Sequence, residues 1–292
     1  MGTLWREEYR TGIDQIDEQH RLLFDKIEKL LNIARSDDGG TNQRDVMEIL
    51  RFLIEYTEFH FETEEGFQRD RAYRSYAEHV KIHREFKDTV LAYQELLSRN
   101  FTVKNLKNFL GMLIAWLVNH VCLCDRKIVK NIPIREMESF SDAESSIKNV
   151  AHRLLAGTYD IPIRNERSYI YMGRVEGEVI IRTIVRGSGN HLIIYGLPGR
   201  IAKMLYHKMS GMELADINAM DEVENSAFIE IGNIISSYVM NSVEDFGKTG
   251  IQFQGDIHIR EYQETEYQIN NSVVLELATD FGKVNILYSP IK

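Results

Sequence analysis

Apolar residues recur at helical spacing through most of the first 130 residues. Four stretches carry a period of about 3.6 residues, as expected for helices that bury one face: 22–31, 49–56, 90–97 and 106–117. Glycine-rich or polar breaks separate them at residues 39–40, 70–75 and 98–100. Four helices of about 20 residues with short connections predict an all-α, up-down four-helix bundle.

The pattern changes after Pro133. Residues 135–145 are polar and acidic, which is typical of a linker. Beyond them, polar and apolar residues alternate with the period of two that strands show, at 169–172, 178–185, 191–195, 272–277 and 283–288. Helical spacing returns at about 198–209 and 222–245. We therefore predict two domains, a bundle over 1–134 and an α+β domain over 146–292, joined by a linker over 135–145.

Composition and charge limit which binding partners and which cellular compartment we expect for this protein. The chain has 292 residues, 43% of them hydrophobic and 27% charged, which suits a soluble protein of two domains. A net charge of −9 argues against nucleic acid and against anionic membrane surfaces as partners. The longest apolar run, 109–118, is half the length of a membrane-spanning helix, and the first residues do not resemble a secretion signal. The expected location is cytoplasmic.

All five histidines of the first 134 residues lie in predicted helices, and carboxylates accompany two of them. Spacing of four residues places a pair of side chains on one helix face. The set is His20, His60 with Glu64, His79 with His83, and His120 with Asp125. A single histidine is usually structural, but five with two such pairs predict a metal centre in the bundle core.

The number of ligands favours two iron ions. Five imidazoles, two bridging carboxylates and an oxo or hydroxo bridge leave one position of two octahedral ions open for a small ligand. A zinc site fits less well, because zinc prefers four ligands. His120 and Asp125 are five residues apart, so on an ideal helix they would point about 140° apart. We therefore expect a bulge or a loosened turn between them.

The segments that carry these residues resemble bacteriohemerythrin, over about residues 4–131. The resemblance rests on 12–20, 60–65, 79–83 and 116–120, followed by Asp125. It implies reversible O2 binding at a non-haem di-iron centre. By this resemblance His79, His83 and His120 ligate one iron, His20 and His60 ligate the other and keep the open position, and Glu64 and Asp125 bridge. Glu62, Glu65 and Trp116 are expected to lie beside the ligands or pack near them, with Glu62 and Glu65 solvated. Cys122 and Cys124 are expected to be small buried residues, with a redox role beside the metal as the alternative.

The second domain contains one helix with a polar stripe. Ser226, Glu230, Asn233 and Ser237 recur at helical spacing, and Gly232 beside them would let another surface approach closely. The opposite residues are predicted to pack on the sheet: Phe228, Ile231, Ile235 and Tyr238.

Ser226, Glu230 and Asn233 resemble the signature of the CheC, CheX and FliY chemotaxis phosphatases, and the single copy is most like CheX. The resemblance covers about residues 146–290. It implies hydrolysis of the aspartyl phosphate on a CheY-type response regulator that holds Mg2+. Asn233 would orient the attacking water, Glu230 would pair with the regulator's lysine, and Ser226 would support them. A homodimer is also expected.

Together these features predict an oxygen- or redox-sensing phosphatase that acts on a response regulator. O2, NO or peroxide could be the signal. The alternative is a non-catalytic module that binds or stores O2 and docks on a regulator or another chemotaxis protein. A third possibility is an oxidase or peroxidase-like centre, although five imidazoles with only two carboxylates favour O2 carriage.

Overall fold

The computed structural model describes residues 4–35, 43–129, 143–171, 173–187, 189–210, 212–242, 251–262, 269 and 272–291. They form two compact units. The first contains residues 4–129, and the second contains nearly all of the described residues from 143 onward. Of the predicted linker, residues 135–142 lie outside the described residues.

Four long helices build the first unit: α1 (Asp14–Arg35), α2 (Gln43–Asp70), α3 (Tyr76–Arg99) and α4 (Val103–His120). Helix α1 contacts α2 and α4, and α3 also contacts both, so that each helix has two neighbours. Each helix buries an apolar stripe in the centre, and α4 is buried along most of its length. The predicted helical bundle is confirmed.

The helical chain continues beyond the end of α4 at His120. A π-helical turn (Val121–Asp125) and the short helix α5 (Arg126–Val129) continue it. Among the described residues, this run (Val103–Val129) is the one helix whose length and apolar composition would suffice to cross a membrane. However, 78% of its apolar window is buried inside the protein, as in the core helix of a bundle.

The second unit is an α+β domain, as predicted. Its helices are α6 (Ala143–Ala151), which continues as a π-helical segment (His152–Thr158), α7 (Gly199–Ser210) and α8 (Glu222–Ser242). Its strands are β1 (Ile163–Ile170), β2 (Val175–Arg186), β3 (Asn190–Leu197), β4 (Gln252–Tyr262), β5 (Val273–Thr279) and β6 (Gly282–Ile291). Within the described residues they form an antiparallel sheet in the order β1-β5-β6-β3-β2-β4.

Several predicted boundaries were wrong. Strand β1 begins at Ile163 rather than 169, because residues 164–168 are exposed at the sheet edge and show no alternation. Strand β4 was missed, although Phe253, Ile257 and Ile259 alternate in it, because Gly255 interrupts the pattern. Residues 143–145, assigned to the linker, open helix α6, and residues 243–245 of the last predicted helix lie outside the described residues.

Helix α8 meets the sheet through two glycines. A Cβ atom on Gly232 would lie 2.6 Å from Cγ2 of Ile181 in β2. Likewise, a Cβ atom on Gly255 in β4 would lie 2.6 Å from Cγ2 of Ile229 in α8. The surface that Gly232 allows to approach is therefore a strand of the same unit.

The side of α8 that faces the sheet differs from the prediction. Ser236 shares a hydrogen bond of 2.8 Å with the hydroxyl of Tyr195 in β3. Phe228 is fully buried but stacks on Tyr206 of α7 at a ring distance of 5.9 Å. Ile235 is only half-buried. The glycine contacts rotate the helix so that its flank beside Asn233 lies over β2 and β4.

Candidate functional site

Seven side chains capable of binding metal converge inside the bundle, and none is more than 3% exposed. Their ligand atoms form two groups, each with atoms within 4.8 Å of one another. One group is Glu64, His79, His83 and His120, and the other is His20, His60 and Asp125. The structure thus brings together all the residues that the sequence marked as ligands in this half.

The imidazole nitrogens point at shared centres. The Nε2 atom of His120 lies 3.2 Å from Nε2 of His79 and 3.0 Å from Nε2 of His83. In the other group the Nε2 atoms of His20 and His60 are 3.1 Å apart. Nitrogens bound about 2.1 Å from one ion at right angles stand about 3.0 Å apart. A ring nitrogen can donate or accept one hydrogen bond, so mutual hydrogen bonding does not satisfy three converging Nε2 atoms.

Each carboxylate reaches histidines of both groups. Glu64 lies 3.3 Å from Nε2 of His79 and 3.8 Å from Nε2 of His60. Asp125 lies 3.0 Å from Nε2 of His120 and 3.2 Å from Nε2 of His20. Oε2 of Glu64 and both oxygens of Asp125 are buried without a hydrogen bond of good geometry. Burying a carboxylate oxygen without such a partner costs free energy. Two cations, one in each group, would offset this cost.

The π-helical turn explains how Asp125 joins His120. A π-helix has more residues per turn than an α-helix, so a separation of five residues returns to nearly the same face. Val121–Asp125 forms this loosened turn, and Oδ1 of Asp125 comes within 3.0 Å of His120.

The protonation preferences of several residues suit metal binding. Burial, with the neighbouring His20, lowers the pKa of His60 to about 3. Burial also lowers the pKa of His120 to about 4. The pKa values of Glu64 and Asp125 are lowered as well, because nearby histidines outweigh the opposing effect of burial. Neutral imidazoles and ionised carboxylates are the forms that bind cations.

His83 differs from His60 and His120. Burial alone would lower its pKa, but contacts with Glu64 and Glu65 outweigh burial and raise the pKa of His83 to about 9. Oε1 of Glu65 lies 2.9 Å from Nδ1 of His83. Glu65 therefore lies beside a ligand, as expected, but the expectation that it is solvated was wrong, since its side chain is 19% exposed and reaches from α2 to α3. Glu62 is exposed, as expected.

Two glutamines beside the ligands were missed in the sequence. Oε1 of Gln19 lies 2.9 Å from Nδ1 of His60, and the Gln68 amide donates to Oε1 of Glu64 at 3.3 Å. Gln68 follows Glu64 by four residues, so helical spacing could have found it. Nothing in the local sequence links Gln19 to His60, which is 41 residues away.

Two aromatic rings stack on ligands of the centre, and the two cysteines lie in the π-helical turn between His120 and Asp125. Trp116 stacks on His120 at a centroid distance of 4.3 Å, and Phe61 stacks on His83 at 3.7 Å. Both cysteines are free thiols, Cys124 buried and Cys122 partly buried. Burial raises the pKa of Cys122 to about 12, which disfavours the reactive thiolate.

In the second unit, the polar stripe of α8 brings Glu230 and Asn233 together. The Asn233 amide donates to Oε2 of Glu230 at 3.4 Å, while Oδ1 of Asn233 is buried without a hydrogen-bond partner. Burial raises the pKa of Glu230 to about 7, against the opposing effect of this hydrogen bond. Ser226 lies one turn before Glu230 and is 8% exposed.

Comparisons with known proteins treat the two halves separately. A family model described as the hemerythrin HHE cation binding domain matches residues 11–132. The bacteriohemerythrin of Clostridium acetobutylicum is 27% identical over 126 residues, which are 43% of this chain and 98% of that protein. The bacteriohemerythrin of Pseudomonas paraeruginosa is 30% identical over 118 residues, which are 40% of this chain and 73% of that protein.

The crystal structure of a chemotaxis protein CheX from Desulfovibrio desulfuricans is similar to the other half. The alignment of the two structures has a TM-score of 0.40 and 16% sequence identity, and it covers 51% of this chain and 98% of the CheX chain. For the first half, the buried ligand set and the matches of sequence agree. Through its helical bundle, the chain belongs to the hemerythrin family.

Proposed function

We propose that this protein is an oxygen- or redox-responsive phosphatase that hydrolyses the aspartyl phosphate of a CheY-type response regulator. The observation that carries the sensing part is the convergence of five buried imidazoles and two carboxylates in two adjacent groups. The phosphatase part is supported by the paired Glu230 and Asn233 on α8, within the signature that resembles the CheX-type enzymes.

The ligand set fits two non-haem iron ions. His79, His83 and His120 would hold one ion, His20 and His60 would hold the other, and Glu64 and Asp125 would bridge them. Bound iron would supply a site for reversible binding of O2, or of NO or peroxide. The protein keeps water away by packing Phe61 and Trp116 against two of the imidazoles.

On α8, we assign the roles that the resemblance to the CheX-type enzymes implies, and the chemistry of the side chains suits them. The Asn233 amide can both donate and accept hydrogen bonds, so it would orient a water in line with the phosphorus. Its Oδ1 has no hydrogen-bond partner but is buried against Gly255 of β4, so docking of the regulator would have to expose it before it could accept from the water. Ionised Glu230 would pair with the regulator's lysine, and Ser226 would support the helix. The Mg2+ ion would be held by the regulator.

The decisive experiment measures dephosphorylation of a phosphorylated CheY-type regulator from the same organism. The full-length, iron-loaded protein is added as the anaerobic diferrous form and as the air-exposed form. We expect accelerated dephosphorylation in both assays, with rates that differ between the two forms. If both forms accelerate dephosphorylation at the same rate, the proposed oxygen response is contradicted, while the proposed phosphatase activity is supported.

Two variants serve as controls. Asn233→Ala should abolish the acceleration, while iron loading and folding stay unchanged. Ser237→Ala lies on the same stripe, and its hydroxyl donates to the carbonyl of Ile234 in its own helix, so it should keep the activity. If the wild-type protein binds the phosphorylated regulator without accelerating hydrolysis, the second unit is a docking module instead.

A further inference from the structure

The five histidines differ in what their second ring nitrogen contacts. Nδ1 of His83 faces the Glu65 carboxylate, and Nδ1 of His60 faces the Gln19 amide oxygen, each at 2.9 Å. The other three Nδ1 atoms are buried without a hydrogen-bond partner, namely those of His20, His79 and His120. Each group of ligands therefore has one imidazole whose Nδ1 has a side-chain partner. We call this partner the anchor of the ring; it is a charged carboxylate for His83 and a neutral amide for His60.

The chemical nature of the anchor changes how strongly an imidazole binds a cation. A ring that donates its Nδ1 proton has the lone pair of Nε2 directed at the metal position. A carboxylate acceptor forms a charge-assisted hydrogen bond, about twice as strong as one to a neutral amide. It also makes the opposite nitrogen more basic. His83 is consequently the better electron donor of the two anchored rings.

The surroundings keep the ring of His83 in this orientation. Phe61 stacks on it with an angle of 5° between the planes, so rotation away from Glu65 would meet the phenyl ring. Glu65 directly follows Glu64 in α2, and the helical turn sends Glu64 into the centre while Glu65 reaches α3. One helix therefore provides both a candidate bridging ligand and an outer anchor.

We infer that Glu65 is a positioning residue that makes the ion of the Glu64, His79, His83 and His120 group the more tightly held of the two. The ion of the His20, His60 and Asp125 group, with two imidazoles and a neutral anchor, is then the exchangeable one. This inference rests on the proposed di-iron centre and is independent of the proposed phosphatase activity.

Iron release from the full-length protein tests the inference. The iron-loaded protein is mixed with a chelator whose iron complex is coloured, and release is followed over time. The wild type should release iron in two phases of equal amplitude. Glu65→Gln should accelerate the slow phase by about tenfold or more and leave the fast phase unchanged. Gln19→Glu should slow the fast phase instead.

The matched control is Glu62→Gln, an exposed position on the same helix, which should release iron as the wild type does. Potentiometry adds a second measurement, because loss of the carboxylate should raise the reduction potential of the slowly released ion. Glu65→Asp, which keeps the charge, should restore part of the slow release. The metal-free Glu65→Gln protein should still unfold cooperatively, at a lower midpoint than the wild type because the contact between Glu65 and His83 is lost, and this shows that the variant folds.

For protein that has taken up iron, two results would overturn the inference. One is iron release in a single phase from the wild type. The other is a slow phase of Glu65→Gln that is no faster than that of Glu62→Gln. A protein that takes up no iron under any loading condition would overturn the proposed di-iron centre, and this inference with it.

Discussion

Single polar residues decide the chemistry of both units because burial makes each of them costly unless it has a partner. In the first unit the seven ligand side chains are at most 3% exposed, and their shared partner would be a pair of cations. In the second unit, Glu230 has the nearby Asn233 amide as its hydrogen-bond partner at 3.4 Å. A half-buried carboxylate with one weak partner favours its protonated form.

The raised pKa of Glu230 predicts a dependence of stability on pH. Burial raises this pKa from 4.5 to about 7 in the folded protein. Below about pH 4.5 the residue is protonated in both states and costs nothing, and the second unit loses stability as pH rises through 7. Glu230→Gln should therefore stabilise this unit at pH 8 by about 1 to 2 kcal/mol, since water reaches the half-buried group and reduces the effect.

Thermal unfolding followed by far-ultraviolet circular dichroism checks this at pH 5 and pH 8. The gain of Glu230→Gln over the wild type should be larger at pH 8. An equal gain at both values would show that the effect does not come from ionisation. Glu62→Gln, on the exposed surface of the bundle, should change neither midpoint.

At the scale of elements, one loosened helical turn and one close approach of a helix to the sheet position the functional side chains. The π-helical turn of Val121–Asp125 brings Asp125 back to the face of His120. The close approach at Gly232 and Gly255 sets α8 against β2 and β4. The helix and the sheet can approach this closely because neither glycine carries a Cβ atom.

Changing the length of the π-helical turn should therefore change iron binding. One alanine inserted after Cys122 would rotate Asp125 by about 100° from the face of His120. We expect loss of this ligand, lower iron content and unchanged helical content. Deleting Cys122 would place Asp125 four residues after His120, about 40° away on an ideal helix, and should keep the iron. Iron analysis of the purified variants would contradict this account if insertion and deletion behaved alike.

Alanine at two of the helical glycines, Gly232 and Gly66, should have opposite effects. Alanine is favoured over glycine in a helix by up to about 1 kcal/mol. At Gly66 the new Cβ atom would have one neighbour, 3.9 Å away, so Gly66→Ala should stabilise the first unit. At Gly232 it would press on Ile181 and Thr183 in β2, and Gly232→Ala should destabilise the second unit by about 1 to 2 kcal/mol. Urea unfolding would show a gain in one variant and a loss in the other.

At the scale of the molecule, the two units can be observed separately. Both tryptophans of the chain, Trp5 and Trp116, lie in the first unit, so tryptophan fluorescence reports that unit alone. Their rings lie 6.4 Å from His20 and 4.3 Å from His120, so they also report on the metal centre. The sheet of the second unit contributes to circular dichroism but not to this fluorescence.

Removal of iron should lower the stability of the first unit alone. Without cations, buried carboxylates and imidazoles lose their compensation, and the free energy of metal binding no longer favours the folded bundle. We expect the midpoint measured by fluorescence to fall by at least about 10 °C. The transition of the second unit, seen by circular dichroism, should stay in place. Equal midpoints with and without iron would show that the centre does not stabilise the bundle.

The sequence by itself determined the two fold classes, the seven candidate ligands and the stripe with Glu230 and Asn233. These features depend on residue type and on spacing along one helix or strand, which a single segment encodes. Even the loosened turn before Asp125 followed from local geometry, because five residues do not fit one face of an α-helix.

Tertiary structure alone decided how the segments face one another. Gln19 meets His60 and Glu65 meets His83 because neighbouring helices pack at one particular rotation and depth. The side of α8 that contacts the sheet depends on Gly255, in the strand that the sequence pattern did not reveal. Such contacts join residues that are far apart in the chain, and they depend on the packing of the whole unit. The periodicity of a single segment therefore does not predict them.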